Sequence, residues 1–328
     1  MTDDTLVIQT AFLGDVVLTT PLLSVLAARH GPVDVVTTPA AAPLLATHPA
    51  VRQVIPFDKN GRDRGWRGGM RVARELRATG YARAYLPHRS WRSGALALLA
   101  RIPKRVGFAD GARLFYTDTR SRPASGHEVE RLLALADQGD RGSAPGVSLA
   151  LTKDDWAEAG AWLTGHGVGP GFVALAPGSI WGTKRWAYYR ELVARLDGPV
   201  VVLGGPEDRG LAEAIVQAAP ERARNAAGEL SLRVSAAVIG RSRLLVTNDS
   251  APLHLATAVG TPIVAIFGPT VPAFGFGPRG ARDLVVEHHN LTCRPCSGHG
   301  PQRCPLGHHR CMKELTVDTV LASIKAIG

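Results

Sequence analysis

Short apolar runs along this chain alternate with longer stretches in which apolar residues recur every three or four positions. That alternation reads as strands each followed by a helix. In the first half it predicts strands at 5–9, 33–37, 51–56, 82–86 and 105–108, with helices at 15–30, 66–79, 91–100 and 127–138. The last helix carries an apolar stripe of Val129, Leu132, Leu133 and Leu135. Segment 140–146, dense in Gly, Pro and Ser, reads as a linker. Beyond it the alternation restarts, with helices at 153–166, 186–196, 208–218, 231–240 and 250–259 and strands at 172–176, 199–203, 243–247 and 262–267. The expected fold is α/β: two Rossmann-like domains with parallel, helix-covered sheets, facing across a cleft at their strand ends. The boundaries are 1–150 and 151–312, with 313–328 a C-terminal helix expected to return onto the first domain. No short repeat or low-complexity segment is present; the halves resemble each other only in architecture.

Composition narrows the class. A chain of 328 residues with 45% hydrophobic content suits two globular domains of an enzyme. No run approaches the ~18 apolar residues of a membrane helix. The start, Met1-Thr2-Asp3-Asp4, is acidic where a secretory signal would be basic, so a cytoplasmic location is expected. The net charge is +10. Between Arg52 and Arg131 stand 16 Arg with Lys59 and Lys104, against seven acidic residues. High-Arg usage and solvated helix faces explain part of that excess; an anionic partner, either phosphorylated glycolipid or membrane surface, would explain the rest. Nucleic acid is not expected, for the chain has no helix-turn-helix, zinc-finger or ribonucleoprotein signature and only 6% aromatic residues.

Candidate chemistry gathers at strand ends. Asn248-Asp249-Ser250 falls at the carboxyl end of an expected strand, where open α/β sheets bind ligands. Ser250 or Asp249 could cap the following helix, leaving backbone N–H groups for an anion. Ala176-Pro177-Gly178-Ser179 ends a second strand and leads to Lys184, a lysine at an expected helix start that there needs an anion opposite it. Together they suggest a nucleotide-diphosphate site. Glu207, after Leu203-Gly204-Gly205-Pro206, is a ribose ligand or an ordinary helix-start carboxylate; His254 reads by default as a structural histidine. The first strand–helix turn contains Gly14 but no G-x-G-x-x-G, which speaks against a dinucleotide-dependent oxidoreductase. Asp15 on that turn is a helix cap or a general base. Arg89 and Arg92, just after strand 82–86, either bind acceptor carboxylates and phosphates or lie on a solvated helix face. Cys293, Cys296, Cys304 and Cys311 cluster with three histidines; a structural zinc is chemically reasonable, although the spacing matches no standard finger.

Leu13-Gly14-Asp15-Val16-Val17-Leu18-Thr19-Thr20-Pro21 closely resembles the opening motif of the family-nine glycosyltransferases, the bacterial heptosyltransferases of the lipopolysaccharide inner core. Ala176 to Ser179 with Lys184-Arg185-Trp186 looks like their phosphate-binding stretch, and Asn248 to His254 through Phe267-Gly268-Pro269-Thr270 like their donor-site signature. The cysteine-rich tail is similar to the heptosyltransferase II branch. The resemblance implies two Rossmann-like domains in the arrangement called GT-B. It implies an inverting, metal-independent transfer of L-glycero-D-manno-heptose from ADP-heptose to a lipid A–Kdo/heptose inner-core acceptor. By similarity Asp15 is the base, Lys184 and Ser179 hold the diphosphate, Glu207 the ribose and Leu230 the adenine region. Asp249, Ser250 and Ala251 would hold the sugar-phosphate end, and Gly14 and His254 are counted among the donor-binding residues. A monomer at the inner face of the inner membrane is expected. One departure stands out: Ser179-Ile180 replaces the pair of hydroxyls found in the first heptosyltransferase type. Rival readings are another nucleotide sugar or acceptor, a sugar-nucleotide epimerase, and a non-catalytic binding protein.

Overall fold

A computed structural model of the chain describes residues 4–137 and 145–327; most of the linker expected at 140–146 lies outside the described residues. The chain divides into two compact units, Met1–Ala150 and Leu151–Gly328.

The first unit holds strands β1 (Thr5–Ile8), β2 (Val33–Thr37), β3 (Val51–Pro56), β4 (Arg83–Leu86), β5 (Lys104–Phe108) and β6 (Asp118–Arg120). All pair in parallel in the order β3-β2-β1-β4-β5-β6, with Val7 opposite Val35 on one side and Tyr85 on the other. The second unit holds β7 (Val173–Ala176), β8 (Val200–Val202), β9 (Ala223–Asn225), β10 (Leu244–Asn248), β11 (Ile263–Phe267) and β12 (Leu284–Glu287). Its order, β12-β11-β10-β7-β8-β9, is the same doubly wound plan seen from the other edge. In each sheet the strand order reverses once, between β1 and β4 and between β7 and β10. Helices cover both faces of such a sheet, so β7, β10 and β11 are buried throughout; β7 and β11 read in sequence as unbroken apolar runs, and β10 is apolar up to Thr247 and Asn248 at its end.

Several expected elements are corrected. The helix expected at 15–30 is two helices, Leu13–Leu18 and Thr20–His30. Pro21 has no N–H to give the Val17 carbonyl, and the Thr20 hydroxyl bonds that carbonyl instead at 2.8 Å. The helix expected at 186–196 starts only at Tyr189, and that expected from 127 ends at Leu133. Strands β6, β9 and β12 were not predicted. Each has three or four residues and carries charged or polar side chains, too short a stretch for a period to register. The C-terminal helix Val317–Ile327, expected to return onto the first half, packs Val320, Leu321 and Ile324 into the core of its own unit, beside Leu192, Val286 and Leu315. No helix among the described residues is long and apolar enough to cross a membrane.

Candidate active site

Thr247 of β10 lies opposite Ala176 of β7, so the loops that follow the two strands leave the sheet side by side. Asn248, fully buried, ties them together. Its Nδ2 donates to the Pro177 carbonyl at 2.7 Å, and its Oδ1 accepts from the Trp186 amide at 3.2 Å and the Tyr189 hydroxyl at 3.3 Å. That fixes the path of the loop carrying Lys184. Lys184 does not start a helix as expected; it ends the 3₁₀ turn Gly182–Lys184, and its anion is Asp249. Nζ donates to Asp249 Oδ2 at 2.6 Å, and the Thr270 hydroxyl donates to the same oxygen at 2.7 Å. Both charged side chains are 10% exposed, so each depends on the other for compensation. Neither Asp249 nor Ser250 caps the next helix. Ser250 occupies the cap position, but its hydroxyl faces Thr247 at 3.4 Å. The start of helix Ala251–Val259 therefore has no side-chain cap, which suits it to an anion.

The other expected donor residues follow along the same edge of the sheet. Ser179 lies on the loop after β7, where its hydroxyl accepts from the Trp181 amide at 3.3 Å. Glu207 is exposed on the turn Pro206–Asp208 after β8, and Leu230 is half-buried after β9. Sheet order β10-β7-β8-β9 thus places Asp249, Ser250 and Ala251 first, then Ser179 and Lys184, then Glu207, then Leu230. Three strand spacings cover about 14 Å. His254 is buried edge-on against Phe276, with ring centres 6.3 Å apart, in keeping with a structural role. Asp208 escaped the sequence reading. A Cβ on Gly178 would fall 2.3 Å from its carboxylate and one on Gly204 2.6 Å from its Cβ, so those two glycines make room for it. Burial raises its carboxyl above the usual range.

The cysteine-rich segment braces this site. The Gly182 amide donates to Gln302 Oε1 at 3.0 Å, His309 Nε2 lies 2.8 Å from the Thr183 carbonyl, and the Thr183 hydroxyl donates to the Pro301 carbonyl. Arg294, 5% exposed, donates to the carbonyls of Gly268, His288 and, at 2.8 Å, Thr270, and pairs with Glu287 at 2.8 Å. Through Thr270 it fixes Asp249. The sequence placed Thr270 in a donor-site motif but gave neither it nor Arg294 a partner, since nothing local links them to a residue more than twenty positions away. All four cysteines are free thiols; Cys311 is buried and its pKa is pushed up to about 11, chiefly by burial. Among the described residues no three His, Cys, Asp or Glu side chains group closely enough to hold a metal ion, so the segment as it stands does not fit the expected zinc.

In the first unit, Asp15 stands in the first turn of helix Leu13–Leu18, after β1, beside the buried Gly14. Its Oδ2 accepts from the Phe12 amide at 3.2 Å. Burial, and then the charge of Glu128, raise its pKa to about 6 against the pull of backbone N–H groups and Arg122. Glu128 is itself paired with Arg122 and lies 3.7 Å from Arg131. Neither Glu128 nor Arg122 was singled out by the sequence. The loop after β4 brings His88, whose Nδ1 is buried with no partner among the described residues and whose pKa burial lowers. Lys59, from the loop after β3, donates to the Thr10 carbonyl at 2.5 Å. Arg89 pairs with Asp110 at 2.7 Å, and Arg92 lies on the Trp91 ring; both are exposed.

Comparison with known proteins identifies the family and the fold. The model of glycosyltransferase family 9 (heptosyltransferase) matches residues 69–304. Lipopolysaccharide heptosyltransferase 2 of Escherichia coli is 27% identical over 348 residues, spanning 98% of this chain and 97% of the relative. The crystal structure of a family 9 glycosyl transferase from Veillonella parvula superposes with a TM-score of 0.86 at 25% identity, covering 99% of this chain and 97% of that one. That of E. coli ADP-heptose lipopolysaccharide heptosyltransferase II gives 0.80 at 26% identity, over 99% and 98%. Two Rossmann-like units in one chain are the GT-B type, and the transferase reading stands above the epimerase one. The chain belongs to glycosyltransferase family 9 and is a glycosyltransferase.

Proposed function

We propose that this enzyme transfers L-glycero-D-manno-heptose from ADP-heptose to the inner core of lipopolysaccharide, with inversion, as a monomer at the cytoplasmic face of the inner membrane. The observation that carries the reading is the order of side chains along the second sheet. Asp249 and Ser250, Lys184 and Ser179, Glu207, then Leu230 follow one another across β10, β7, β8 and β9, in the order sugar, diphosphate, ribose, base of an ADP-sugar. The full-length similarity to a lipopolysaccharide heptosyltransferase supports the same choice of donor.

In this mechanism an acceptor hydroxyl attacks the anomeric carbon while the bond to the diphosphate oxygen breaks and ADP leaves with the electron pair. Asp15, with its pKa near 6, takes the hydroxyl proton. Lys184 and the uncapped start of helix Ala251–Val259 stabilise the negative charge gathering on ADP, so the step draws on no metal ion. Diphosphate binding competes with Asp249 for the Lys184 ammonium and frees the carboxylate to accept hydrogen bonds from the sugar. Arg89 and Arg92 bind acceptor anions; Arg89 exchanges Asp110 for them.

The test is incubation with ADP-heptose and a set of truncated inner-core lipids, followed by mass spectrometry. A mass gain of one heptose on a heptose- or Kdo-terminated acceptor is the expected result. Transfer from a different nucleotide sugar, with none from ADP-heptose, would replace this donor assignment.

A further inference from the structure

Helix Trp91–Leu99 is apolar on both sides. Ser93, Gly94, Leu96 and Ala97 are buried inward, while Trp91, Leu98 and Leu99 face solvent at 63%, 44% and 47% exposure. A surface helix ordinarily turns polar residues outward, and this one turns out only Arg92, its one other polar residue, Ser93, being buried. Trp91 and Leu98 are seven residues apart, on one stripe. The next loop extends that stripe. A Cβ on Gly94 would lie 2.8 Å from Phe115 Cβ, so the turn Arg113–Phe115 rests against the helix, and Leu114 beside it is 97% exposed. The neighbouring helix Gly65–Thr79 likewise starts after the carboxyl end of its strand and puts Trp66 out at 75% exposure near its start.

The rim of this apolar strip is basic. Arg92, Arg101, Lys104 and Arg113 are exposed, and Asp110, the one acidic residue between 89 and 117, is paired with Arg89. Arg67 and Arg92 lie on the rings of Trp66 and Trp91. Exposed tryptophan and leucine ringed by arginine are the chemistry of an anionic bilayer interface, where apolar groups enter the headgroup boundary and guanidinium groups meet phosphates.

We infer that the outer face of helix Trp91–Leu99, with Leu114 and Trp66, docks this enzyme on an anionic lipid bilayer. This deepens the proposed function and rests on its lipid-linked acceptor. The docking face ends at Trp91, the first residue of the helix and two positions after Arg89 on the preceding loop, so an acceptor rooted in that bilayer would present its sugars to the strand ends of the first unit.

The test needs neither donor nor acceptor. The full chain is sedimented with phosphatidylethanolamine vesicles containing or lacking phosphatidylglycerol. Binding is expected only with phosphatidylglycerol, and it should weaken with added salt. The double variant Leu98→Glu/Leu99→Glu should lose about tenfold or more in vesicle partitioning, while its thermal unfolding and ADP binding stay those of wild type. Equal sedimentation with both vesicle types, or with variant and wild type, overturns the inference. So does a variant that changes only self-association in light scattering, which would assign the face to a second copy of the chain. Because vesicle binding is read without turnover, failure here leaves heptose transfer standing, and failure of heptose transfer leaves the docking face standing.

Discussion

At the residue scale two carboxylates carry the argument. Burial, and then the charge of Glu128, raise the pKa of Asp15 to about 6. Only its deprotonated form can accept a proton, so kcat/KM should rise with pH through an inflection near 6 and level off above it. Asp15→Asn should lower turnover at least about tenfold, abolish that inflection and leave ADP-heptose binding unchanged by calorimetry. A variant that keeps the wild-type pH profile would remove Asp15 from the role of base. Asp249 differs in that its charge is neutralised by Lys184 in a nearly closed setting. Lys184→Ala leaves that carboxylate buried alone, which should cost about 3 kcal/mol in unfolding experiments and raise the donor KM. Adding Asp249→Asn should recover much of the stability but none of the donor affinity. If the double variant is no more stable than the single one, the pair is not the source of the loss.

At the scale of elements, the cysteine-rich segment acts as a brace. Arg294 reaches the Gly268 and Thr270 carbonyls after β11 and Glu287 at the end of β12, and Thr270 passes that order on to Asp249. Arg294→Ala should therefore raise the donor KM more than it lowers kcat. Lysine should rescue it poorly, because a single ammonium cannot reproduce the guanidinium fork. Thr270→Val should reproduce the donor effect without the accompanying fall in melting temperature. An Arg294→Ala enzyme with unchanged donor KM would leave the arginine a purely structural role. The thiols give a separate reading. With Cys311 buried and its pKa near 11, titration with a thiol reagent at neutral pH should find three accessible cysteines and a fourth only after unfolding. Four protected thiols together with about one equivalent of zinc by metal analysis would instead show that the segment closes around a metal.

At the scale of the whole molecule, one doubly wound plan is used twice. The alternation of apolar runs was enough to name the fold class, because a strand covered on both faces is largely apolar, as β7 and β11 are throughout and β10 is up to Thr247. Small and polar residues at the ends of those runs marked Asp15, Ser179, Lys184, Glu207 and Asp249, since turn chemistry is local. Proline chemistry is local too, yet the break before Pro21 was overlooked in favour of the apolar period. Other features had no local signal. Edge strands β6, β9 and β12 are too short to show a period, and they form because a neighbouring strand offers unpaired backbone groups. Strand order, and with it the row from Asp249 to Leu230, depends on crossovers that no spacing encodes. The partners of Lys184, Asp208 and Arg294, and the raised pKa of Asp15, depend on burial and on charges brought in from distant segments. The sequence by itself determined which segments become strands and which side chains stand at their ends. Only the tertiary structure decided which of those side chains meet, because a buried charge is settled by whatever the fold packs against it.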